Sequence, residues 1–196
     1  MKVSLDKIEL GITDDEVPLG RHLIHFWHTD SEFERGVRFL DLGIDDESQY
    51  SVLFGHDEAN EKLLQTLRKT GRDLDRVIRD GCLVILRRES SASATLASID
   101  AAFSDAVRKG AIAIRYLGNL GMGQAPLPGG GAAEVVELES GATKLAERYP
   151  CVIACMYDIN TLSGRLVLDA DLELTLSLFA AALCGTNPTT RQTTKT

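Results

Sequence analysis

The sequence lacks several features that would assign it at once to a class of protein. It contains no apolar run of about 18 residues, so no segment is expected to span a bilayer. Its first 20 residues are rich in carboxylates and lack the apolar core of a secretory signal peptide. Basic residues are the minority, because 21 Lys and Arg stand against 29 Asp and Glu, for a formal net charge of −8. We therefore expect a cytoplasmic protein that binds neither nucleic acid nor an anionic membrane surface.

Cysteine is scarce, and no CxxC pair occurs. Cys151 and Cys155 fall in one apolar run, CVIACMY, where they would share a face of a strand. They would lie about 13 Å apart along it, which is too far for a disulfide or for one shared zinc ion. We expect these thiols, with Cys82 and Cys184, to be reduced, and we predict no cofactor or metal.

The motifs of the common nucleotide-binding and hydrolytic enzymes are also missing. No GxSxG nucleophile elbow is present, and the nearest approach to a phosphate-binding loop, YSVLFGHDEANEKLL, has the single glycine Gly55. Asp57 and Glu58 stand where phosphates would bind, and Lys62 comes one turn too late, with no Ser or Thr directly after it. We expect Asp57 to cap the following helix, and we expect no hydrolysis of nucleoside triphosphates.

A glycine-rich stretch further along the chain, GNLGMG, follows a predicted strand. Gly118, Gly121 and Gly123 are spaced GxxGxG, which does not match the GxGxxG dinucleotide fingerprint. Pro126 and Pro128 separate the stretch from the next helix. Two interpretations stay open, a mobile surface loop and a lid over the strand ends.

Strand-like and helical segments alternate along the chain. This pattern predicts an α/β fold of three layers, with a mainly parallel sheet and helices on both faces. We divide the chain into a polar leader over residues 1–20, a single domain over 21–184 and a Thr-rich tail over 185–196. The predicted strands are RHLIHFWH, YSVLFG, CLVILRR, AIAIRYLG, PCVIACMYD and LELTLSLF.

The first predicted helix has clear boundary signals. Thr29, Asp30 and Ser31 offer an N-cap, and Phe33, Val37 and Leu40 follow at helical spacing. A glycine at position 43 is expected to end this helix.

Ligands bind open parallel sheets at the carboxyl ends of the strands. Those ends predict a small-molecule site with an aromatic wall and a few polar anchors. Arg115 is included although it lies within a strand, because a charge there requires a partner. His22, His25 and His28 could bind a metal, but a hydrogen-bonded strand histidine is the preferred interpretation. The candidate ligand-binding residues are His22, Trp27, His28, His56, Asp57, Arg88, Arg115, Asn119, Met122 and Tyr157.

Four segments together resemble the MEDS family, a sensory module of methanogen and methylotroph regulators. They are HLIHFWHTDSEFERGVRFLDLGI, GCLVIL, AAFSDAVRKGAIAIRYLGNLGM and VELESGATKLAERYPCVIACMYDINTLSGRLVLDA. The resemblance implies a fold like that of RecA- and KaiC-type ATPases without a working phosphate-binding loop. It also implies a sensor of small organic ligands, such as hydrocarbon derivatives. The family's motif residues fall on His22, Trp27, Arg115, Glu139, Cys155, Tyr157 and Asp158.

The chain departs from the family pattern at two places. The family's Gly-Glu-Met is replaced by Gly118–Asn119–Leu120, with Met122 two positions late, so a carboxylate is lost there. The family's Thr-His-Pro is replaced by DLELTLSLF.

These observations support three hypotheses. The preferred one is a non-enzymatic sensory or regulatory domain that binds a small organic ligand in signal transduction or transcriptional regulation. The second is a protein-interaction module that docks onto a regulatory kinase or an anti-sigma partner, and the third is a residual nucleotide-binding protein. The attached output modules of some relatives are not found in the sequence, so we expect the signal to pass through a partner protein or a homo-oligomer.

Overall fold

A computed structural model describes residues 5–119 and 132–161 of the chain. Seven strands and five helices make up this part. In chain order they are β1 (Lys7–Glu9), β2 (Glu16–Pro18), β3 (Arg21–Trp27), α1 (Asp30–Ile44), β4 (Gln49–Gly55), α2 (Asp57–Arg68), α3 (Leu74–Arg79), β5 (Leu83–Arg87), α4 (Ala92–Arg108), β6 (Ala113–Asn119), α5 (Ala132–Arg148) and β7 (Cys151–Asp158).

Within the described residues, the central sheet has five strands in the order β3-β7-β6-β4-β5, and every neighbouring pair is parallel. Its two faces carry separate apolar cores, one under α1 and α2 and the other under α4 and α5. All eight residues of β7 are buried, as expected for an apolar strand covered on both faces. The three-layer α/β prediction is therefore confirmed. The closer likeness to RecA- and KaiC-type ATPases stays a prediction.

The polar leader contributes a small hairpin. β1 and β2 pair antiparallel, and Ile8 and Leu10 are buried against the core under α1. The Arg115 guanidinium reaches the hairpin from β6, because its Nη1 donates to the Glu9 carbonyl at 2.7 Å. The part of the leader that the structure describes is thus packed on the domain.

Helix boundaries were predicted with mixed success. Thr29 is the N-cap of α1 and forms a capping box with Glu32, as its position suggested. The expectation that Asp57 caps α2 is wrong, because Asp57 is the first helical residue and the N-cap is His56, which makes no side-chain cap bond. Gly43 does not end α1, which runs to Ile44.

Gly43 serves a packing role instead. A Cβ atom at this position would lie 2.6 Å from Cδ of Arg115 and 2.7 Å from Oγ of Ser51. The missing side chain therefore lets α1 lie close enough to the sheet for the buried Arg115 to fit between them.

Several sequence predictions lie outside the described residues. They are the sixth strand LELTLSLF, the glycine-rich loop with Met122, Cys184 and the Thr-rich tail. Among the helices of the described ranges, none has the length and apolarity needed to cross a bilayer.

Gly43→Ala tests the close approach of α1 to the sheet. In a helix without this contact, the change would stabilise by about 1 kcal/mol, because alanine is the better helix former. Overpacking against Arg115 reverses the sign here, and we expect a loss of about 1–3 kcal/mol in the free energy of unfolding. Urea denaturation of the two proteins measures the difference, and a stabilised variant would contradict the packing.

Candidate functional site

The predicted site residues divide between two places. Most lie at the carboxyl edge of the sheet, which we define as the last residues of the strands and the segments directly after them. His22 and Tyr157 instead face α5 and meet two residues that the candidate list omitted, Glu139 and Cys155. Arg115 belongs to neither place.

Trp27 forms the aromatic part of the carboxyl edge. Its ring packs edge-on against Phe33, with 5.0 Å between ring centroids, and the Lys62 ammonium lies 4.9 Å from the Trp27 ring centroid. Lys62 is held there by Asp30, with 3.1 Å between Nζ and Oδ1. The Trp27 indole nitrogen is buried and has no hydrogen-bond partner among the described residues. Within the described residues, this N–H group is therefore a free donor at the aromatic surface of Trp27 and Phe33.

His28 is held at the end of β3 by the segment after β7. Asn160 donates through Nδ2 to the His28 carbonyl and to the Asp158 carboxylate, which leaves its oxygen facing Nδ1 of His28 at 2.8 Å. Nδ1 of His28 must therefore carry the proton, and Nε2 of the neutral ring keeps its lone pair.

Two buried asparagines meet where the strand order reverses, between β4 and β6. Asn60 donates to the Gly55 carbonyl and Asn119 donates to the Ala59 carbonyl, each at 3.2 Å. The side-chain oxygens of both asparagines are buried without a hydrogen-bond partner in the described part of the chain. Such reversal points are where open α/β sheets bind ligands.

The turn after β4 is too short to hold phosphates. A single residue, His56, separates the last residue of β4 from the first residue of α2. Asp57 follows at once, and its Oδ1 lies 3.8 Å from Nε of Arg87 with both side chains exposed. A phosphate-binding loop needs several consecutive backbone N–H groups around the anion, and one residue cannot supply them.

Arg88 bridges the carboxyl edge to α5. Its Nη2 donates to Oε1 of Glu134 at 2.8 Å, and both side chains are largely buried. Nε of Arg88 has no partner within residues 5–119 and 132–161.

Arg115 lies deep under α1, away from the strand ends. Its Nε donates to Oε1 of Gln49, and its Nη1 donates to the carbonyls of Glu9 and Phe39. Burial outweighs the nearby carboxylates of Glu9 and Asp46 and lowers the pKa of Arg115 to about 10. Through these contacts, the Arg115 guanidinium joins the hairpin to the sheet.

A second cluster of polar side chains is buried between the sheet and α5. His22 Nε2 lies 3.3 Å from Sγ of Cys155 and 3.2 Å from Oε2 of Glu139. The Tyr157 hydroxyl donates to Oε1 of Glu139 at 2.6 Å. We call these four residues the buried cluster.

Thr143 determines the tautomer of His22. The Thr143 hydroxyl donates to the Glu139 carbonyl one turn earlier in α5, at 3.1 Å. Its oxygen must then accept from Nδ1 of His22, which lies 2.9 Å away. In the neutral ring, Nε2 of His22 therefore presents a lone pair to Cys155 and Glu139.

Burial perturbs the acids of this cluster in different directions. Burial by itself would raise the pKa of Glu139, but the nearby His22 ring and the hydrogen bond from Tyr157 outweigh it, and the net shift is downward. Burial, reinforced by the Glu139 charge, raises the pKa values of Cys155 and Tyr157 well above their usual range. The cluster therefore concentrates its negative charge on Glu139.

Sequence reasoning missed parts of both places. Glu139 and Cys155 entered through the family resemblance alone, and Thr143, Asn60 and the orientation of Lys62 were not predicted. A signal for two of them was present, because Glu139 and Thr143 are four residues apart on a predicted helix and so share a face.

Tyr157→Phe tests the burial of the Glu139 carboxylate. The variant removes the hydrogen bond from Tyr157 to this carboxylate. Water cannot enter the buried cluster to replace that bond, so we expect the free energy of unfolding to fall by about 1.5–3 kcal/mol. Tyr149→Phe is the matched control, because its hydroxyl donates to Oδ1 of Asp100 at the same 2.6 Å in a more exposed place. Chemical denaturation should show a smaller loss for the control, and equal losses would contradict the assignment.

His25 predicts a pH dependence of stability. Burial lowers the pKa of His25, and its Nε2 lies 2.9 Å from the Glu32 carbonyl, to which it donates. In the unfolded chain His25 takes up a proton near pH 6.5, whereas in the folded protein it takes up the proton only at lower pH. The free energy of unfolding that depends on neutral His25 is therefore fully present above about pH 7 and falls as the pH drops through 6.5. The slope contributed by this residue is at most about 1.4 kcal/mol per pH unit. Urea unfolding at several pH values should show a flatter profile for His25→Gln, and parallel profiles would contradict the prediction.

Comparison with known proteins agrees with the motifs of the sequence. The family model of the methanogen/methylotroph, DcmR sensory domain (MEDS) matches residues 21–171, which is more than half of the chain. The match spans β3 to β7, and so includes both the carboxyl edge and the buried cluster. A comparison with curated proteins finds no match. The chain therefore belongs to the MEDS family of sensory domains.

Proposed function

We propose that this sensory domain is not an enzyme, and that it binds a small organic molecule at the carboxyl edge of its sheet to regulate signalling or transcription. The observation that carries the proposal is the position of its unpartnered polar atoms. Four of the five buried side-chain atoms without a partner in the described residues lie at this edge: Trp27 Nε1, Asn60 Oδ1, Arg88 Nε and Asn119 Oδ1. Buried polar atoms are ordinarily hydrogen-bonded, so these atoms call for an explanation, which a bound ligand would supply for Trp27, Asn60 and Asn119.

The chemistry of these atoms describes the ligand. Trp27 and Arg88 offer donors, while Asn60 and Asn119 offer acceptors. Helix α2 links two of the groups, since Asn60 lies beside Asn119 and Lys62 lies over the Trp27 ring. Arg88 follows β5, which is about 19 Å across the sheet from β3, so one small ligand would not reach both Arg88 and Trp27. A small molecule with an apolar body and a group that both donates and accepts, such as an alcohol or a primary amide, complements Trp27, Asn60 and Asn119.

The residual-nucleotide alternative has less support. The one-residue turn at His56 and the carboxylate of Asp57 oppose a polyphosphate. Mg²⁺-ATP is therefore a suitable negative probe in a ligand screen.

A thermal-shift screen of short alcohols, ketones, amides and carboxylic acids tests the proposal. A compound at about 100 times its dissociation constant should stabilise the fold by about 2.7 kcal/mol. Trp27 is the only tryptophan of the chain, so the same compound should also change the intrinsic fluorescence. A screen without a stabilising compound, or with stabilisation by Mg²⁺-ATP alone, would contradict the proposal.

Trp27→Phe then tests the position of the ligand. The variant keeps an aromatic ring and removes the N–H donor, so we expect the affinity to fall about tenfold. Tyr149→Phe removes a polar hydrogen between α4 and α5 and should leave the affinity unchanged. An unchanged affinity in Trp27→Phe, or a fluorescence that does not respond to a stabilising compound in the wild type, would place the ligand elsewhere.

A further inference from the structure

The fifth unpartnered atom, Oε2 of Glu139, does not belong to the carboxyl edge. It lies in the buried cluster, on the face of the sheet that α5 covers, and Glu139 is 8% exposed. Nε2 of His22 lies 3.2 Å from Oε2, yet the two atoms do not form a hydrogen bond of proper geometry.

The tautomer of His22 explains why this contact is unsatisfied. Because Nδ1 of His22 donates to Thr143, the lone pair on Nε2 of the neutral ring faces the Glu139 carboxylate. Sγ of Cys155 approaches the same nitrogen at 3.3 Å. A nitrogen, an oxygen and a sulfur atom, each able to bind a metal ion, thus lie within 4.8 Å of one another. A cation between them would satisfy all three.

Two of the three separations between these atoms match those of a tetrahedral metal site, and the third, between Sγ and Oε2, is within 4.8 Å. Zinc bound at about 2.0–2.1 Å from nitrogen and about 2.3 Å from sulfur requires these two ligands to be about 3.5 Å apart, and nitrogen and oxygen about 3.4 Å apart. The observed separations of 3.3 Å and 3.2 Å are within about 0.2 Å of those values. For these two pairs, the ligand atoms would need little movement to admit the ion.

Neighbouring hydrogen bonds orient two of the three ligands, as is usual around a bound metal ion. A metal-binding histidine usually donates its other ring nitrogen to an oxygen that fixes its orientation, as His22 does to Thr143. The Tyr157 hydroxyl in the same way orients Glu139 through Oε1 and leaves Oε2 available. The charges also balance, because a carboxylate and a thiolate together neutralise a divalent ion.

We propose that His22, Glu139 and Cys155 bind one Zn²⁺ ion through Nε2, Oε2 and Sγ, with a fourth position open to a small donor. Binding displaces the Cys155 thiol proton to solvent and involves no change of oxidation state. The zinc site lies on the α5 face and is independent of the small-molecule site proposed at the carboxyl edge. It also draws its ligands from β3, β7 and α5, so it does not need Cys151.

Cobalt titration of the full chain tests the proposal directly. After treatment with a chelator, the folded protein should bind one equivalent of Co²⁺. The complex should show a thiolate-to-cobalt charge-transfer band and the strong visible absorption of a tetrahedral site, and Zn²⁺ should displace the cobalt. Cys155→Ser should lose the charge-transfer band. Absence of cobalt binding by the folded wild-type chain would overturn the proposal.

The matched control is Cys151→Ser. Cys151 is a buried thiol on the same strand and the same face, but it contacts the Ala146 carbonyl and lies outside the cluster. This variant should keep the charge-transfer band, and its loss, or persistence of the band in Cys155→Ser, would contradict the assignment of the ligand.

Thr143→Val supplies a test that leaves all three ligands in place. Removing the hydroxyl that orients His22 should weaken cobalt affinity about 10–100-fold while the band remains. Circular dichroism verifies that each variant is folded. Unchanged affinity in a folded Thr143→Val protein would contradict the role of His22 as a ligand.

Discussion

Both faces of the parallel sheet are covered by helices, and this constraint governs every polar group within the domain. Water cannot reach such groups, so each must find a partner in the protein or leave its hydrogen-bonding capacity unused. Arg115 shows the satisfied case, since Gln49 and two backbone carbonyls accept from its guanidinium. The same residue joins the N-terminal hairpin to the sheet and requires a glycine at position 43 of α1.

The unsatisfied groups occupy two places with different chemistry. At the carboxyl edge, the donor of Trp27 and the acceptors of Asn60 and Asn119 suit an uncharged organic molecule. Under α5, three atoms that can each bind a metal lie within 4.8 Å of one another, which suits a cation. The two places share strand β3, where His22 and Trp27 point to opposite faces because successive residues of a strand alternate. A sensory domain of this family could thus combine a ligand site and a metal site within one small sheet.

Sequence patterns predicted the elements well where local signals dominate. The N-cap of α1 and the apolar run of β7 are local features, and both were read correctly. Gly43 was misread because a glycine that ends a helix and a glycine that admits a neighbouring side chain look alike in sequence. Asp57 was misread as the N-cap because α2 begins one residue earlier than predicted, which makes His56 the N-cap and Asp57 the first helical residue. The candidate site was predicted in part, since Trp27 and Asn119 do lie at strand ends, whereas Arg115 lies away from them.

The sequence by itself determined the alternation of strands and helices, the parallel sheet and the family, because these follow from periodicity and from motifs of contiguous residues. It also excluded a metal shared by Cys151 and Cys155, since their separation along a strand is a local quantity. Only the tertiary structure decided that Cys155 meets His22 and Glu139, which are 133 and 16 residues away along the chain. That meeting depends on the pairing of β3 with β7 and on the packing of α5, and neither sheet order nor helix orientation is encoded in the spacing of any one segment.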